Sequence, residues 1–349
     1  MGSAADWHAF LDEFRAFGGK AENVMQRKGL FGMGLFPIDS SKPIELQVPN
    51  RLLVAIDNIE LKDGEIIIKD TNTFPDGYAD WFRRYQSNYS WGAEGRENTL
   101  AIEEGLKSLP DEVQQILKRS GLYNSDNRYP EQDKDQELLR RFIQTRCINF
   151  KGKRVIMPMI ELLNHGTSAN PYDMSGDGIA VGGLFEGEVL VKYSISDPIR
   201  RFFGYGFNAQ EPFGYSLSFR LQHRDQKIFV RGGGSAGSPT RDLNVQIKGD
   251  TMVVEQPLLA STNSPKIPRT LFVKAFQKFN GVDANELFDQ IHQRNSRVFI
   301  QLIRLLNTVE GDTSENLRTA CLDQLLALSH RIGQRDDLLD QAAPTPEAA

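Results

Sequence analysis

Three short stretches carry side chains, or the lack of them, that could handle a ligand or a reacting atom. They are Gly32-Met33-Gly34-Leu35-Phe36, Glu161-Leu162-Leu163-Asn164-His165-Gly166 and Tyr205-Gly206-Phe207. Two glycines one residue apart leave backbone open to a bound molecule that side chains would hold off. The Asn-His pair follows an apolar strand, Arg154 to Pro158. Alone, such a pair in a turn is more often structural than functional. Its weight comes from the order of its neighbours: the glycine turn upstream, Gly187-Glu188-Val189-Leu190-Val191-Lys192-Tyr193 downstream, then Tyr205-Gly206-Phe207. Other groupings carry less. The glycines between Arg231 and Pro239 lack a Gly-Lys-Ser/Thr ending and a following helix, so they read as a flexible hairpin loop and not a nucleotide loop. Cys147 and Cys321, the two cysteines, cannot assemble a disulfide framework or a Cys-based zinc site, and no metal is expected.

The elements that must position these residues can be read from periodicity. Trp7, Phe10, Leu11, Phe14 and Phe17 recur at helical spacing and Gly18-Gly19 stop the run. Gly32 to Phe36, Ile44 to Pro49 and Ile66 to Ile68 read as short strands. From about Tyr78 to Gln144 the texture is helical, with Pro110 suited to a first turn. Strand texture resumes at Arg154 to Pro158 and recurs at Ile179 to Val181, Val189 to Tyr193 and Tyr215 to Leu221. Leu243 to Ile247 and Met252 to Val254 flank a Lys248-Gly249-Asp250 turn, a hairpin signature. Asp283 with Glu286 opens a helix whose face is Leu287, Ile291, Val298, Leu302 and Leu305, and Ser314 to Ile332 reads as another. The fold class expected is α+β, a mostly-β domain of short strands split by a helical insert, followed by a predominantly α-helical C-terminal domain. Its expected segments are an N-terminal helix in 1–25, the β domain in 26–212 with its insert at about 76–146, a hairpin and helices in 213–341, and a disordered tail in 342–349.

Composition narrows the partners. The chain has 349 residues, 40% hydrophobic and 25% charged, an ordinary globular balance. A net charge of -5 offers no basic footprint for neutralising phosphates, so no nucleic-acid partner is expected. No apolar run approaches the roughly 20 residues that span a bilayer, and no leader pattern opens the chain, so no membrane partner is expected. Asp6 stands where an N-myristoylation signal needs Ser or Thr. A cytoplasmic or other intracellular protein, acting as a monomer, is the expectation.

Taken in order, these stretches resemble the SET-domain protein methyltransferases, in the branch typified by the Rubisco large-subunit lysine methyltransferase and its relatives, some of which methylate histidine. The family's Gly-x-Gly-apolar turn is matched by Gly32 to Phe36, its apolar-x-Val-Pro segment by Leu46 to Pro49, and its stretch after the insert by Thr145-Arg146-Cys147. Its Asp-x-x-Asn-His element is matched by Glu161 to His165, its Gly-Glu strand by Gly187 to Tyr193, and its Tyr-Gly-Phe by Tyr205 to Phe207. Each motif is common, and six in order are specific. The resemblance spans about Gly29 to Asp340.

The resemblance implies S-adenosyl-L-methionine as cofactor and a protein or peptide substrate methylated on lysine, with histidine as the runner-up. It implies that Gly32, Met33, Gly34, Arg146, Asn164, His165 and Tyr205 meet the cofactor, Arg146 through a charge-assisted contact to its carboxylate. Tyr205 is implied as the catalytic residue, a phenol orienting the acceptor. Glu161, Tyr172, Tyr193 and Phe207 are implied at the acceptor, where aromatic walls desolvate a lysine ammonium and lower its pKa. For the three aromatics, packing in the core is an even alternative. Three positions depart from the pattern: Glu161 stands where Asp is usual, Gly166 where Ser is common, and Gly204 where a polar residue often precedes the tyrosine. Zinc-bound cysteines, which complete the channel of histone-type relatives, cannot be built here, so the helical domain is expected to supply that wall. A catalytically idle SET-like module that binds a peptide or scaffolds a complex is the reading from another class. A Rossmann-type methyltransferase is disfavoured, because the strands are short and do not alternate with helices.

Overall fold

In the computed structural model, which describes residues 4–123, 134–233 and 242–330, helix α1 (Ala4–Ala16) buries Trp7, Phe10, Leu11 and Phe14. It stops where the helical spacing ends. Gly18 takes a φ of 92°, and Gly19 N donates to Phe14 O at 3.1 Å, closing the last turn. The helix belongs to the first of two compact units, Met1–Ala101 with Tyr129–Tyr193; the second is Ile102–Arg128 with Ser194–Ala349.

In the first unit β1 (Lys20–Glu22) is followed by the antiparallel hairpin of β2 (Val24–Gly29) and β3 (Gly32–Pro37). Its two-residue tip, Leu30-Phe31, is exposed. Strand β4 (Ile44–Pro49) alternates as the sequence predicts: Ile44, Leu46 and Val48 are buried and Glu45 is exposed. After β5 (Val54–Ala55), β6 (Ile59–Lys62) pairs with β7 (Glu65–Ile68). Helix α2 (Tyr78–Tyr85) then supplies an aromatic column. Trp81 stacks on Phe10 at 5.2 Å, on Phe14 at 5.3 Å and on Tyr85 at 5.2 Å, and its indole N–H donates to Phe10 O. Such rings exclude water from a unit whose strands are short. One π-turn, Gln86–Ser90, follows. Helix α3 (Gly92–Lys107) carries the chain into the second unit, which includes α4 (Asp111–Arg119), and α5 (Lys134–Arg146) lies in the first again.

The remaining strands of the first unit close against its early ones. Strands β8 (Cys147–Phe150) and β9 (Lys153–Ile156) form a sheet with β5, in the order β5-β9-β8. Strand β10 (Asn164–His165) awaits its partner while β11 (Gly178–Gly183) pairs with β4, giving the antiparallel order β1-β4-β11. The predicted strand Val189 to Tyr193 shrinks to β12 (Leu190–Val191), which runs parallel to β10. Val189 N donates to Leu35 O at 2.8 Å just before it, which draws the stretch toward β3 and limits the ladder.

The second unit holds α6 (Pro198–Tyr205), opened by Asp197 as an N-cap and closed by Gly206 at a φ of 82°. The predicted strand Tyr215 to Leu221 is two strands, β13 (Phe213–Tyr215) and β14 (Phe219–His223). The break is held by Asn295, fully buried: Leu217 N donates to Asn295 Oδ1 at 2.8 Å, and Asn295 Nδ2 donates to Ser216 Oγ at 3.0 Å and to Ile291 O at 2.8 Å. Strand β15 (Gln226–Arg231) runs parallel to β17 (Thr251–Glu255), which pairs with β16 (Asn244–Lys248) around the expected turn. These make a sheet in the order β14-β15-β17-β16, and β13 pairs with β18 (Leu258–Ser261). The region after residue 213 thus holds a four-stranded sheet where a short hairpin is expected, because β15 pairs with β17 of the hairpin and β14 with β15. Helices α7 (Ile267–Phe276), α8 (Ala284–Leu306) and α9 (Asp312–Leu328) complete the core, with α8 capped by Asp283 as predicted. The glycine loop expected between Arg231 and Pro239 lies largely outside the described residues, as do the end of the helix expected to reach Ile332 and the tail 342–349.

Asn295→Ala would leave the Leu217 N–H without its acceptor in a dry interior, while Ser216 Oγ keeps its bond to Leu217 O, at a cost of about 1–3 kcal/mol. A urea midpoint lowered to match is expected, and an unchanged midpoint would show that the break between β13 and β14 has other support.

Candidate functional site

The first unit brings three distant stretches to one amide. Asn164, on β10, donates through Nδ2 to Met33 O at 3.1 Å and to Glu188 Oε1 at 2.6 Å. Gly34 is what makes room. A Cβ there would sit 2.2 Å from Glu188 Oε1 and 2.9 Å from Asn164 Nδ2. Gly32 is different: its φ of 92° needs glycine, and a Cβ on it would meet open space. Next to Asn164, His165 is buried, and its Nδ1 accepts from Tyr193 N at 3.3 Å with the two rings 5.3 Å apart. The Tyr193 hydroxyl donates to Leu163 O at 2.6 Å, and Tyr172 is buried in the same core.

Glu161 lies inside this unit, on a 3-10 turn, Ile160–Leu162, entered through Met159 at φ 72°. A positive φ on a residue other than glycine is strained, and here the Met159 N–H is tied to the Tyr85 hydroxyl at 2.8 Å. Glu161 Oε1 accepts from Gln86 Nε2 at 2.7 Å and from Ser90 Oγ at 2.9 Å, so the π-turn after α2 supplies both donors. Arg146 Nη1 donates to Glu161 O at 3.1 Å. Burial pushes the Glu161 carboxyl above the usual carboxylate range, against the opposing pull of the Arg146 charge and of hydrogen bonds from Ser90, Gln86 and Tyr85. Burial also raises the Cys147 thiol to about 12, which leaves it no thiolate to react with.

In the second unit Tyr205 ends α6, half-buried, with the Phe207 ring 6.0 Å away. One helical turn earlier Arg201 is fully buried with its guanidinium 5.1 Å from the Tyr205 ring centre. Arg201 is fixed from both sides: Nε donates to Glu211 Oε1 at 2.8 Å and Nη2 to Ser194 O at 2.8 Å. Asp197 is buried under the start of the same helix, accepting from Arg200 N and Tyr215 N, with Gln324 of α9 donating to it at 3.5 Å and accepting from Ile199 N. Helix α9 therefore braces the helix that carries Tyr205.

Of the residues singled out in the sequence, Met33, Gly34, Asn164, His165 and Tyr193 meet in the first unit, Arg146 and Glu161 form a second group there, and Tyr205 and Phe207 meet in the second. Gly32 borders open space, and Tyr172 is packed in the core. Three residues with large local roles escape the sequence reading. Glu188 sits in a quoted motif, yet nothing in its spacing shows that Asn164 is its partner. Arg201 stands four residues before Tyr205 on one helix, a signal that could have found it. Glu211 carries none. Among the described residues, no cluster of His, Cys, Asp or Glu could hold a metal ion, and no helix is long and apolar enough to cross a membrane.

No family model matches the chain, and no curated protein matches it. Among solved structures it is similar to "Structure of Rubisco LSMT bound to AdoMet", at 14% identity over 98% of this chain and 94% of that one, with a TM-score of 0.43. It is similar also to "Crystal structure of the SET domain of LSMT bound to Lysine and AdoHcy", at 14% identity over 98% and 93%, with a TM-score of 0.42. A third is "Structure of Rubisco LSMT bound to Sinefungin and Monomethyllysine", at 13% identity over 98% and 94%, with a TM-score of 0.42. At identities and TM-scores this low, the likeness carries no argument about the ligands of this chain.

Because Glu161 has a folded pKa above its ordinary value of 4.5, the folded state holds its proton more tightly than the unfolded state does. Its contribution to stability is therefore present below pH 4.5 and lost as pH rises through the raised value. Glu161→Gln removes this one titration. Melting temperatures of variant and wild type, compared across that window, should diverge in the variant's favour as pH rises. A constant difference would mean that Glu161 titrates alike in both states.

Proposed function

We propose that this chain is an S-adenosylmethionine-dependent protein N-methyltransferase, with a lysine side chain of a protein substrate as acceptor. The observation that carries this reading is the Asn164 amide, at which the Gly-x-Gly turn, the Asn-His element and the Gly-Glu strand converge. Motifs far apart in sequence share one place, as residues holding a common ligand must.

The residue types fit the cofactor's amino-acid end. At the Asn164 amide the Glu188 carboxylate and Met33 carbonyl are acceptors suited to an ammonium, and Gly32 offers backbone beside open space; in the separate group with Glu161, the Arg146 guanidinium suits a carboxylate. When bound, the cofactor supplies an electrophilic sulfonium methyl. The chain's own residues have the rest to do. Gly32 and Gly34 admit the ligand to the backbone, and Asn164 and His165 fix the loop that receives it. In the second unit the Tyr205 hydroxyl is proposed to orient the acceptor nitrogen, and the half-buried Phe207 ring beside it to disfavour the charged ammonium, so that a neutral amine is presented. The residues between about 26 and 212 are proposed to carry this chemistry, and the region after 213 to bind the protein substrate.

A labelled-methyl transfer assay on extract of the native host, with mass-spectrometric mapping of the product, tests the reading. Label on lysine is expected. Label on histidine would move the chain to the runner-up acceptor, and no transfer without cofactor binding would leave the idle module. Gly34→Val should displace the Glu188 carboxylate and Asn164, so calorimetry should show S-adenosylmethionine affinity falling while the fold persists. Tyr205→Phe keeps the ring over Arg201 but deletes the hydroxyl, and single-turnover transfer at saturating cofactor should slow by roughly 10²- to 10³-fold. Wild-type rates in that variant would make Tyr205 a packing residue.

A further inference from the structure

The second unit carries two adjoining open grooves, one on either side of β14, the edge strand of its four-stranded sheet. One, of about 730 Å³, crosses the outer sheet face and is lined by Arg220, Gln222, Lys227, Phe229, Arg231 and Lys248 among others. The other, of about 400 Å³, lies between β14 and α8, where Gln290, Arg294, Arg297 and Gln301 face it, and Leu221 and Gln222 line both grooves.

Charge is distributed unevenly here. Lys227 pairs with Asp250 and Arg231 with Glu255. Exposed Arg220, Lys248, Arg294 and Arg297 make no ion pair among the described residues. Elsewhere in the same unit some exposed cations find acids, as in Arg269 with Asp289, Lys274 with Asp242 and Arg224 with Asp283 and Glu286, while Lys266, Lys278 and Arg304 stand singly among the described residues and apart from one another in sequence. Rings hold the unpaired guanidinium groups out along the strand: Arg220 lies 5.5 Å from the Phe229 centre and Arg294 lies 4.9 Å from that of Phe219. In a chain of net charge -5, three of these cations thus flank β14, Arg220 on the strand itself and Arg294 and Arg297 on α8 beside it, while Lys248 stands across the sheet on β16.

We propose that this edge binds an extended acidic polypeptide segment laid along β14. An edge strand offers backbone groups to an added strand. The glutamines between the cations suit a peptide's amides. Duplex DNA, with a charge about every 1.7 Å, would need a denser row of cations without Asp250 and Glu255 among them. The proposal rests on the methyl-transfer reading in one respect: the segment is taken to belong to the protein acceptor.

The full chain is titrated, without cofactor, into a short fluorescein-labelled peptide of alternating Glu and Ala, followed by anisotropy. Saturable binding is expected, weakening with salt as screening shortens from about 8 Å at 0.15 M to about 3 Å at 1 M. The double variant R220E/R294E should bind roughly tenfold more weakly or worse. Lys266→Glu, which lines neither groove, should bind as wild type does. Cofactor affinity measured by calorimetry should be equal in all three proteins, so loss of the surface and loss of the methyl-transfer reading register separately. No saturable binding, equal affinity in the double variant, equal binding of the Gln-for-Glu peptide, or tighter binding of a labelled oligothymidylate would each overturn the proposal.

Discussion

Asn164 Nδ2 carries two protons and meets two acceptors, Met33 O and Glu188 Oε1. With these few atoms it ties three distant stretches of the first unit together. The amide fixes the β2-β3 hairpin from one side and the Gly187–Tyr193 stretch from the other, while β10 and β12 run parallel for only two residues each. So short a ladder cannot set its own position, and the amide with its charged acceptor, stronger than a neutral pair, takes over that task. Gly34 is a consequence, since any side chain there would stand where the carboxylate stands.

Around this point the unit is kept dry by aromatic stacking. Trp81 lies between α1 and Tyr85, and Tyr85 in turn holds the strained Met159 turn and faces the buried Glu161. The turn that carries Glu161 is thus fastened to the hydrophobic column through the Tyr85 phenol. In the second unit an ion pair has the equivalent place: Arg201 and Glu211, both withdrawn from water, are locked together and to the backbone. A buried pair gives little net stability but resists rearrangement, because moving one partner strands the other. The Tyr205 ring rests against that fixed cation.

How much of this was legible in the sequence depends on range. β4 could be read, since Ile44, Leu46 and Val48 alternate with polar residues, and α8 could be read from its Asp283 cap and apolar face. Helix α6 is passed over although Asp197-Pro198 is a cap followed by proline, because the strand texture on both sides hides an eight-residue element. The break at Ser216-Leu217 is invisible, for its partner Asn295 is 78 residues away. The order of motifs pointed to the Gly32, Asn164 and Tyr205 stretches. It could not assign Glu188 or Arg201, whose importance is a matter of distance and not of pattern.

The first unit is discontinuous in the chain, and this bears on how it is made. During synthesis β4 emerges early and finds β1, but its other edge stays bare until β11 follows more than a hundred residues later; β5 likewise waits for β9. A ribosome adding about 5–20 residues per second leaves those edges uncovered for several seconds or longer. Through that interval a nascent chain has apolar strand edges open to other chains. Its safety before release therefore depends on chaperone occupancy and elongation speed.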